Sequence, residues 1–219
     1  MSQAIVFDLD GTLIDSAPDI HAAANRMLED FGHAPLTLAR VTSFIGNGIP
    51  NLVRLVMQER GIPSAEEQIM QARMLEHYTA HPADLSQPYP GVIDCLQTLR
   101  NQGYRLGVCT NKLLEPTLQI LQALNLTSFF DVVIGGDTLP VKKPDPAPLL
   151  KAFEKLEAAA LLYVGDSEVD AATADAADVP FALFTEGYRK TPVDELPHTA
   201  TFNHFELLMD IVDRRRAAA

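Results

Sequence analysis

Five short apolar runs constrain this chain more than any other feature: Ala4–Asp8, Arg105–Thr110, Asp131–Ile134, Leu161–Gly165 and Phe181–Phe184. Most are dense in Val, Ile, Leu and Phe, the pattern of strands covered on both faces. From Arg105 onward they alternate with helical patterns. In Pro146–Glu157, Leu149, Leu150, Phe153 and Leu156 fall on one face while Lys151, Glu154 and Lys155 face water. Asp145 can cap that helix, and Pro146 suits its first turn. The alternation predicts an α/β fold, a doubly wound parallel sheet with a Rossmann-like core.

The first run is the exception, because no strand of the same kind follows it until Arg105. Between them lie three helical patterns, Ala17–Phe31, Ile49–Arg60 and Ala65–Ala80. Pro82, Pro88 and Pro90 then mark the return, and Gly91–Gln102 reads as a core helix. This predicts a core of residues 1–15 and 86–219 interrupted by a helical cap domain, 16–85, inserted where the chain leaves and re-enters at one surface point. A chain of 219 residues can bury roughly 70–75% of its unfolded surface without disulfide or metal staples.

Charge and composition narrow the function. A net charge of −12 argues against nucleic acid, which needs a basic footprint. No apolar run approaches the ~18 residues of a membrane span. The N-terminus enters Ala4-Ile5-Val6-Phe7 with no basic region before it, so no signal peptide and a cytoplasmic location are expected. Cys95 and Cys109 each sit in an apolar pattern and read as buried free thiols. Arg214-Arg215-Arg216 follows Phe205, Leu208, Ile211 and Val212 and reads as a solvated helix end. His77 and His81 share a helix face but lack the acidic third ligand of an HExxH frame, so they read as surface groups. Gly46-Asn47-Gly48 lacks the third glycine of a dinucleotide fingerprint, and no GxxxxGK loop exists.

In a sheet of this type ligands bind beyond the carboxyl ends of the strands. Four polar motifs fall there in order. They are Asp8-Leu9-Asp10-Gly11-Thr12, Thr110-Asn111, Lys142-Lys143-Pro144-Asp145-Pro146, and Gly165-Asp166-Ser167-Glu168-Val169-Asp170. On these motifs, and on the position of the insertion, the chain resembles the haloacid dehalogenase superfamily of aspartyl-phosphate phosphatases. Ile45-Gly46-Asn47-Gly48, Pro88-Tyr89-Pro90-Gly91-Val92 and Thr110-Asn111-Lys112 narrow the resemblance to the phosphoglycolate phosphatase branch. The resemblance implies magnesium-dependent hydrolysis of a small phosphate monoester, with 2-phosphoglycolate the favoured substrate. Sugar phosphates, nucleotides and pyrophosphate are runners-up handled by the same core.

The residues suit that chemistry. A carboxylate nucleophile divides a slow hydrolysis into phosphoryl transfer and acyl-phosphate hydrolysis. Asp8, rigidly held at a strand end, is the expected nucleophile. Asp10 can protonate the leaving oxygen and then activate water. Its ordinary pKa of ~3.9 must rise for that task, and a cap that excludes water could raise it. Asp8 and Asp166, with phosphate oxygen and waters, form an oxygen set suited to Mg²⁺. The resemblance adds the main-chain carbonyl of Asp10 to the metal ligands and Leu9 to the substrate-binding residues. Lys143 is expected to neutralise the phosphoryl oxygens, in preference to Lys142, because the family lysine directly precedes proline. The Thr110 hydroxyl and the Asn111 amide donate to phosphate. Thr12 and Asp170 stand around the metal ligands, orienting metal-bound water or the lysine. In the insertion, Gly46, Asn47 and Gly48 form a turn whose N–H groups can converge on an anion, with Pro50 opening the next helix. That turn is expected to read a carboxylate on the substrate.

Receiver domains share a strand-end Asp, a Thr and a Lys around magnesium, but the cap and the Asp8–Asp10 spacing argue against a signalling module. A dehalogenase needs no acid at Asp10. A phosphonatase needs a cap lysine, and the first lysine here is Lys112. Phosphomutase relatives carry a β-branched apolar residue where Thr12 stands, which favours hydrolysis.

Overall fold

The computed structural model describes residues 2–218. In chain order these form β1 (Gln3–Phe7), β2 (Ile14–Asp15), α1 (Ala17–Asp30), α2 (Leu38–Thr42), α3 (Ile49–Arg60), α4 (Glu67–Ala80), β3 (Gln87–Pro88), α5 (Val92–Asn101), β4 (Arg105–Cys109), α6 (Leu114–Ala123), β5 (Val132–Ile134), α7 (Ala147–Leu156), β6 (Ala159–Gly165), α8 (Glu168–Ala176), β7 (Phe181–Phe184), β8 (Ala200–Phe202) and α9 (Leu208–Ala218). Among the described residues, six strands make one parallel sheet in the order β5-β4-β1-β6-β7-β8. β2 and β3 pair antiparallel as a separate ribbon.

Successive side chains on a strand point to opposite faces, so the sheet fills two cores. Ile5, Phe7, Leu106, Val108, Leu162, Val164 and Phe184 join α5, α6 and α9 on one face. Ala4, Val6, Cys109, Tyr163, Phe181 and Leu183 join α7 and α8 on the other. This two-sided burial is why the runs show no polar alternation. Cys95 and Cys109 are free and lie in opposite cores.

Several sequence expectations need correction. β8 extends the sheet by a sixth strand, and the β2–β3 ribbon is also additional; both are too short to register as apolar runs. Helix α2 is one further element. The helix expected at Pro146 begins at Ala147, with Pro148 in its first turn, while Asp145 Oδ1 accepts the Ala147 N–H at 2.9 Å. Leu150 is 47% exposed and does not share the buried face of Leu149, Phe153 and Leu156. Packing on the sheet covers only one stripe of this helix.

Helices α1–α4 enclose a core of their own, built from Ala24, Met27, Leu28, Val53, Val56, Met70 and Met74. Gly61, at φ 65°, ends α3 in the left-handed conformation that glycine takes without strain. The chain leaves the sheet through β2 and returns through β3. Just beyond that ribbon, buried Asp19 accepts from the N–H groups of Leu85 and Ser86 and from the Ser86 hydroxyl, at 2.6–3.1 Å. One carboxylate therefore ties the first turn of α1 to the returning strand.

The topology also locates the crevice. The connection from β1 to β4 packs α5 on one face, and that from β6 to β7 packs α8 on the other. The sheet opens where connections diverge, beyond the carboxyl ends of β1 and β6. No helix among the described residues is long and apolar enough to cross a membrane.

Asp19→Ala removes the acceptor of the Leu85 N–H and orphans the buried N–H and hydroxyl of Ser86. It should cost about 1–3 kcal/mol in urea unfolding; a midpoint matching wild type would show that the returning strand does not depend on this carboxylate.

Candidate active site

Asp8 directly follows β1, and its N–H donates to the Val164 carbonyl at 2.8 Å, locking it to β6. The chain then turns sharply: the Leu9 carbonyl accepts from Thr12, Leu13 and Ile14. The Leu9 side chain is fully buried in the sheet core, so only its main chain can face a ligand. Gly11 has φ 87°, and a Cβ there would stand 2.6 Å from Asp166 Oδ2. A Cβ on Gly187 would stand 2.3 Å from the same oxygen. Two glycines thus let the loops after β1 and β7 close on Asp166.

Asp8, Asp166 and Asp170 bring carboxylate oxygens within 4.8 Å of one another. Lys143 Nζ lies 2.9 Å from Asp8 Oδ1 and 2.6 Å from Asp170 Oδ1, and donates to the Tyr163 hydroxyl at 2.9 Å. The contact with Asp8 is one of charge, because Asp8 Oδ1 is buried without hydrogen-bond geometry to any donor. Asp170 is fully engaged. Its Oδ1 accepts from Lys143 and Tyr163, and its Oδ2 accepts from Ser167 and from the Asp166 N–H. Asp170 reaches the cluster through the capping box with Ser167, not by stacking one helical turn above Asp166, since Asp166 precedes the helix. Asp166 accepts from the Thr12 hydroxyl at 2.8 Å and from the Tyr188 N–H at 2.6 Å.

On the other side, Asp10 accepts from Lys112 Nζ at 2.9 and 3.0 Å and from the Ser16 hydroxyl at 2.5 Å. Lys112 Nζ stands 4.4 Å from the centre of the Tyr78 ring of α4. Asn111 Nδ2 donates to the carbonyls of Gly46 and Lys143, which spends its side-chain amide on holding two loops together. The turn Gly46-Asn47-Gly48 is fastened further by Lys142 on the Asn47 carbonyl and Lys190 on the Ile45 carbonyl. Pro50 is the second residue of α3, after Ile49, not the first. His77 hydrogen-bonds Asp30 and His81 hydrogen-bonds Asp84, so the two histidines do not share a ligand.

Between helices and sheet lies a cavity of about 60 Å³ lined by Asp8, Asp10, Thr110, Asn111, Lys112 and Lys143 from the sheet side. That is roughly four times the ~10–15 Å³ one water needs. Gly46, Gly48 and apolar side chains of α1, α3 and α4 close it. A smaller cavity joins Asp8, Asp10, Asn47 and Asp166 to Glu168 and Tyr188. Of the site residues expected from the sequence, Asp8, Asp10, Gly46, Gly48, Thr110, Asn111 and Lys143 line the first cavity and Asn47 and Asp166 the second, while Leu9, Thr12 and Asp170 line neither. Sequence reasoning gave no role to Lys112, Tyr163, Tyr188 or Ser16. Tyr188 follows β7 at its carboxyl end, the same signal that marks the other motifs.

A family model described as haloacid dehalogenase-like hydrolase matches residues 5–184. A phosphoglycolate phosphatase of Cereibacter sphaeroides (strain ATCC 17029) is 53% identical over 212 residues, covering 96% of this chain and 97% of that protein. A phosphoglycolate phosphatase of Rhodobacter capsulatus is 45% identical over 215 residues, covering 97% and 98%. The crystal structure of a predicted phosphoglycolate phosphatase from Haemophilus somnus 129PT matches with a TM-score of 0.91 at 30% identity, covering 96% of this chain and 97% of that one.

The charge balance of the cluster, with all three carboxylates ionised, is compatible with a cation. Three carboxylates, Asp8, Asp166 and Asp170, meet one ammonium, Lys143, an excess of two negative charges in a buried place. Burial, reinforced by the Asp170 charge and opposed by Lys143, pushes Asp8 from its ordinary 3.8 up to about 7. Burial, with Asp170 and Asp8, pushes Asp166 well up too. Burial also acts on Asp170, but Lys143, Ser167 and Tyr163 outweigh it and hold its carboxyl low. An oxygen-rich set with an unbonded buried Asp8 oxygen fits a hard divalent ion.

The sign follows from linkage. A group whose folded pKa is raised contributes stability that is full below its unfolded pKa and lost as pH rises through the folded value. The metal-free protein should therefore lose stability between about pH 4 and pH 7 on account of Asp8, whose pKa rises from 3.8 to about 7. A divalent cation held by these oxygens would offset that loss, and its affinity should fall about tenfold per pH unit below neutrality for each proton it displaces. Thermal unfolding with magnesium and with EDTA should show a Tm gap that widens from pH 5 to pH 8; a gap that narrows contradicts the charge balance.

Proposed function

The chain belongs to the haloacid dehalogenase-like hydrolases, and on that footing we propose that it is a magnesium-dependent phosphatase converting 2-phosphoglycolate to glycolate and phosphate through an aspartyl-phosphate on Asp8. The observation that carries the reading is the placement of Asp8, Asp10 and Lys143 around one small cavity. The relatives' names and the compact cavity support phosphoglycolate as the substrate. The charge it brings is accommodated locally: although the net charge is −12, four of the six lysines, Lys112, Lys142, Lys143 and Lys190, surround the site.

In this mechanism the phosphoryl group sits against Lys143, the Thr110 hydroxyl and the main-chain N–H groups of Leu9 and Asn111. An Asp8 carboxylate oxygen attacks phosphorus. The ester P–O bond breaks, and its electron pair stays on the leaving oxygen, which takes the Asp10 proton. Asp10, now a base, takes a proton from water as that water attacks phosphorus, and phosphate leaves with Asp8 regenerated. Asp8, Asp166 and the Asp10 carbonyl would hold magnesium, which would supply positive charge against the phosphoryl oxygens. Thr12 and Tyr188 fix the Asp166 carboxylate. Asp170 and Tyr163 fix Lys143 and leave no Asp170 oxygen free for the metal. Residues 16–85 act as a cap over a core of 1–15 and 86–219, and the Gly46-Asn47-Gly48 turn roofs the site and shuts out water. Two buried free thiols suit a cytoplasmic setting.

Steady-state phosphate release tests this. Purified protein with magnesium should turn over phosphoglycolate many times per molecule, and EDTA should abolish turnover reversibly. Asp8→Asn should lower kcat more than about 1,000-fold, and Asp10→Asn by about 10²–10⁴. Asp8→Asn should also raise the Tm of the metal-free protein at pH 8, because it removes a buried charge. Stoichiometric release alone would indicate a receiver-like module; full activity in EDTA would refute the metal.

A further inference from the structure

The proposed substrate carries a carboxylate one methylene beyond the ester oxygen that Asp10 must protonate. Something in the cavity has to hold that charge. The helices and the turn before α3 contribute Ile20, Ile45, Ile49, Leu52 and Met74 to the lining, all apolar, and among the described residues the cations lining it are Lys143 and Lys112. Lys143 is taken by Asp8, Asp170 and Tyr163.

Lys112 is not fully taken. Its side chain is 6% exposed, and its ammonium touches both Asp10 oxygens at 2.9 and 3.0 Å. An ammonium has three donors, so one is left for a ligand. The group that bonds Asp10 necessarily lies next to the leaving oxygen that Asp10 reaches. Tyr78, from α4, supplies a second, independent observation. It lines the same cavity, is 2% exposed, and its hydroxyl has no hydrogen-bond partner among the described residues. A buried hydroxyl without a partner is costly, and a ligand oxygen would satisfy it. Lys112 comes from the loop after β4 and Tyr78 from the helical unit, and with the ammonium 4.4 Å from the ring centre the two side chains meet at the cavity wall. The N–H groups of Gly46, Asn47 and Gly48 donate to no main-chain carbonyl among the described residues; they can add weak donors but no charge.

We propose that Lys112 and Tyr78 form the subsite that reads the carboxylate of the leaving group, and so set the preference for an acidic two-carbon ester. The inference rests on the phosphoglycolate reading above. Lys112 is the charge-bearing member and Tyr78 the neutral donor. A ligand without the carboxylate leaves the Tyr78 hydroxyl unpaired and gains nothing from the third Lys112 donor.

The test compares kcat/KM for phosphoglycolate with that for ethyl phosphate in wild type, Lys112→Gln and Tyr78→Phe, with magnesium present. Any effect relayed through Asp10 touches both esters alike and cancels in the ratio. Wild type should favour phosphoglycolate. Lys112→Gln should lower the ratio about 10- to 100-fold, mainly through the KM for phosphoglycolate, as expected for a charge-assisted contact made in ground state and transition state alike. Gln keeps a donor for Asp10; if that variant still fails to fold by circular dichroism, Tyr78→Phe, which removes a single oxygen, decides by the same ratio with an expected fall of about tenfold. A wild-type ratio near one, with brisk hydrolysis of both esters, overturns the substrate reading itself. A wild-type preference that the folded variant retains overturns only the Lys112–Tyr78 assignment.

Discussion

Like charges brought together out of water are the constraint on which this structure depends. Asp8, Asp166 and Asp170 approach within 4.8 Å in a buried crevice, offset only in part by the single ammonium of Lys143. Such a cluster persists only if the fold over-determines it. Three devices do so: Asp8 is hydrogen-bonded by its main chain to β6, Asp170 is clamped by a capping box and Tyr163, and Asp166 is gripped by Thr12 and Tyr188. The energy that hydrophobic burial supplies on both sides of the sheet sustains an arrangement that electrostatics alone would disperse. The same repulsion makes the cluster receptive to a divalent cation and to a phosphoryl group shielded by lysine.

The sheet topology decides where that happens. β1 lies between β4 and β6, and the connections leave it on opposite faces. The crevice therefore opens beside Asp8, whose main chain is hydrogen-bonded to β6. Backbone closeness completes the site, since Gly11 and Gly187 leave no room for a Cβ around Asp166. The helical unit then closes over the crevice, and its turn at Gly46-Asn47-Gly48 is fastened by Asn111, Lys142 and Lys190. Two lysines beside the crevice thus tie the helical unit to the sheet.

Much of this is legible in the sequence because the relevant order is local. Each of Asp8, Thr110, Lys143 and Asp166 follows an apolar run within a few residues or one loop, and parallel topology carries all such positions to one edge. What is illegible depends on long-range pairing. Tyr163 is hidden inside an apolar strand, where its ring reads as core and its hydroxyl serves Lys143 and Asp170. Lys112 pairs with Asp10 across 102 positions, and Tyr188 donates to Asp166 and bonds Asp15 across 173. The strand β8 is three residues long, too short for periodicity to show. Leu150 misleads for a different reason: helical spacing gives the width of an apolar stripe, while the partner surface decides how much of it is covered.

In the proposed mechanism Asp8 itself carries the phosphoryl group between two chemical steps. The most direct measurement uses Asp10→Asn, which lacks the base for the second step, with magnesium and an aryl phosphate whose leaving group needs no proton. After acid quench, mass spectrometry should find one phosphoryl group on the peptide containing Asp8, removable by hydroxylamine as an acyl phosphate. Aryl alcohol released with no phosphoprotein formed, or the phosphoryl group on any other residue, would contradict the account.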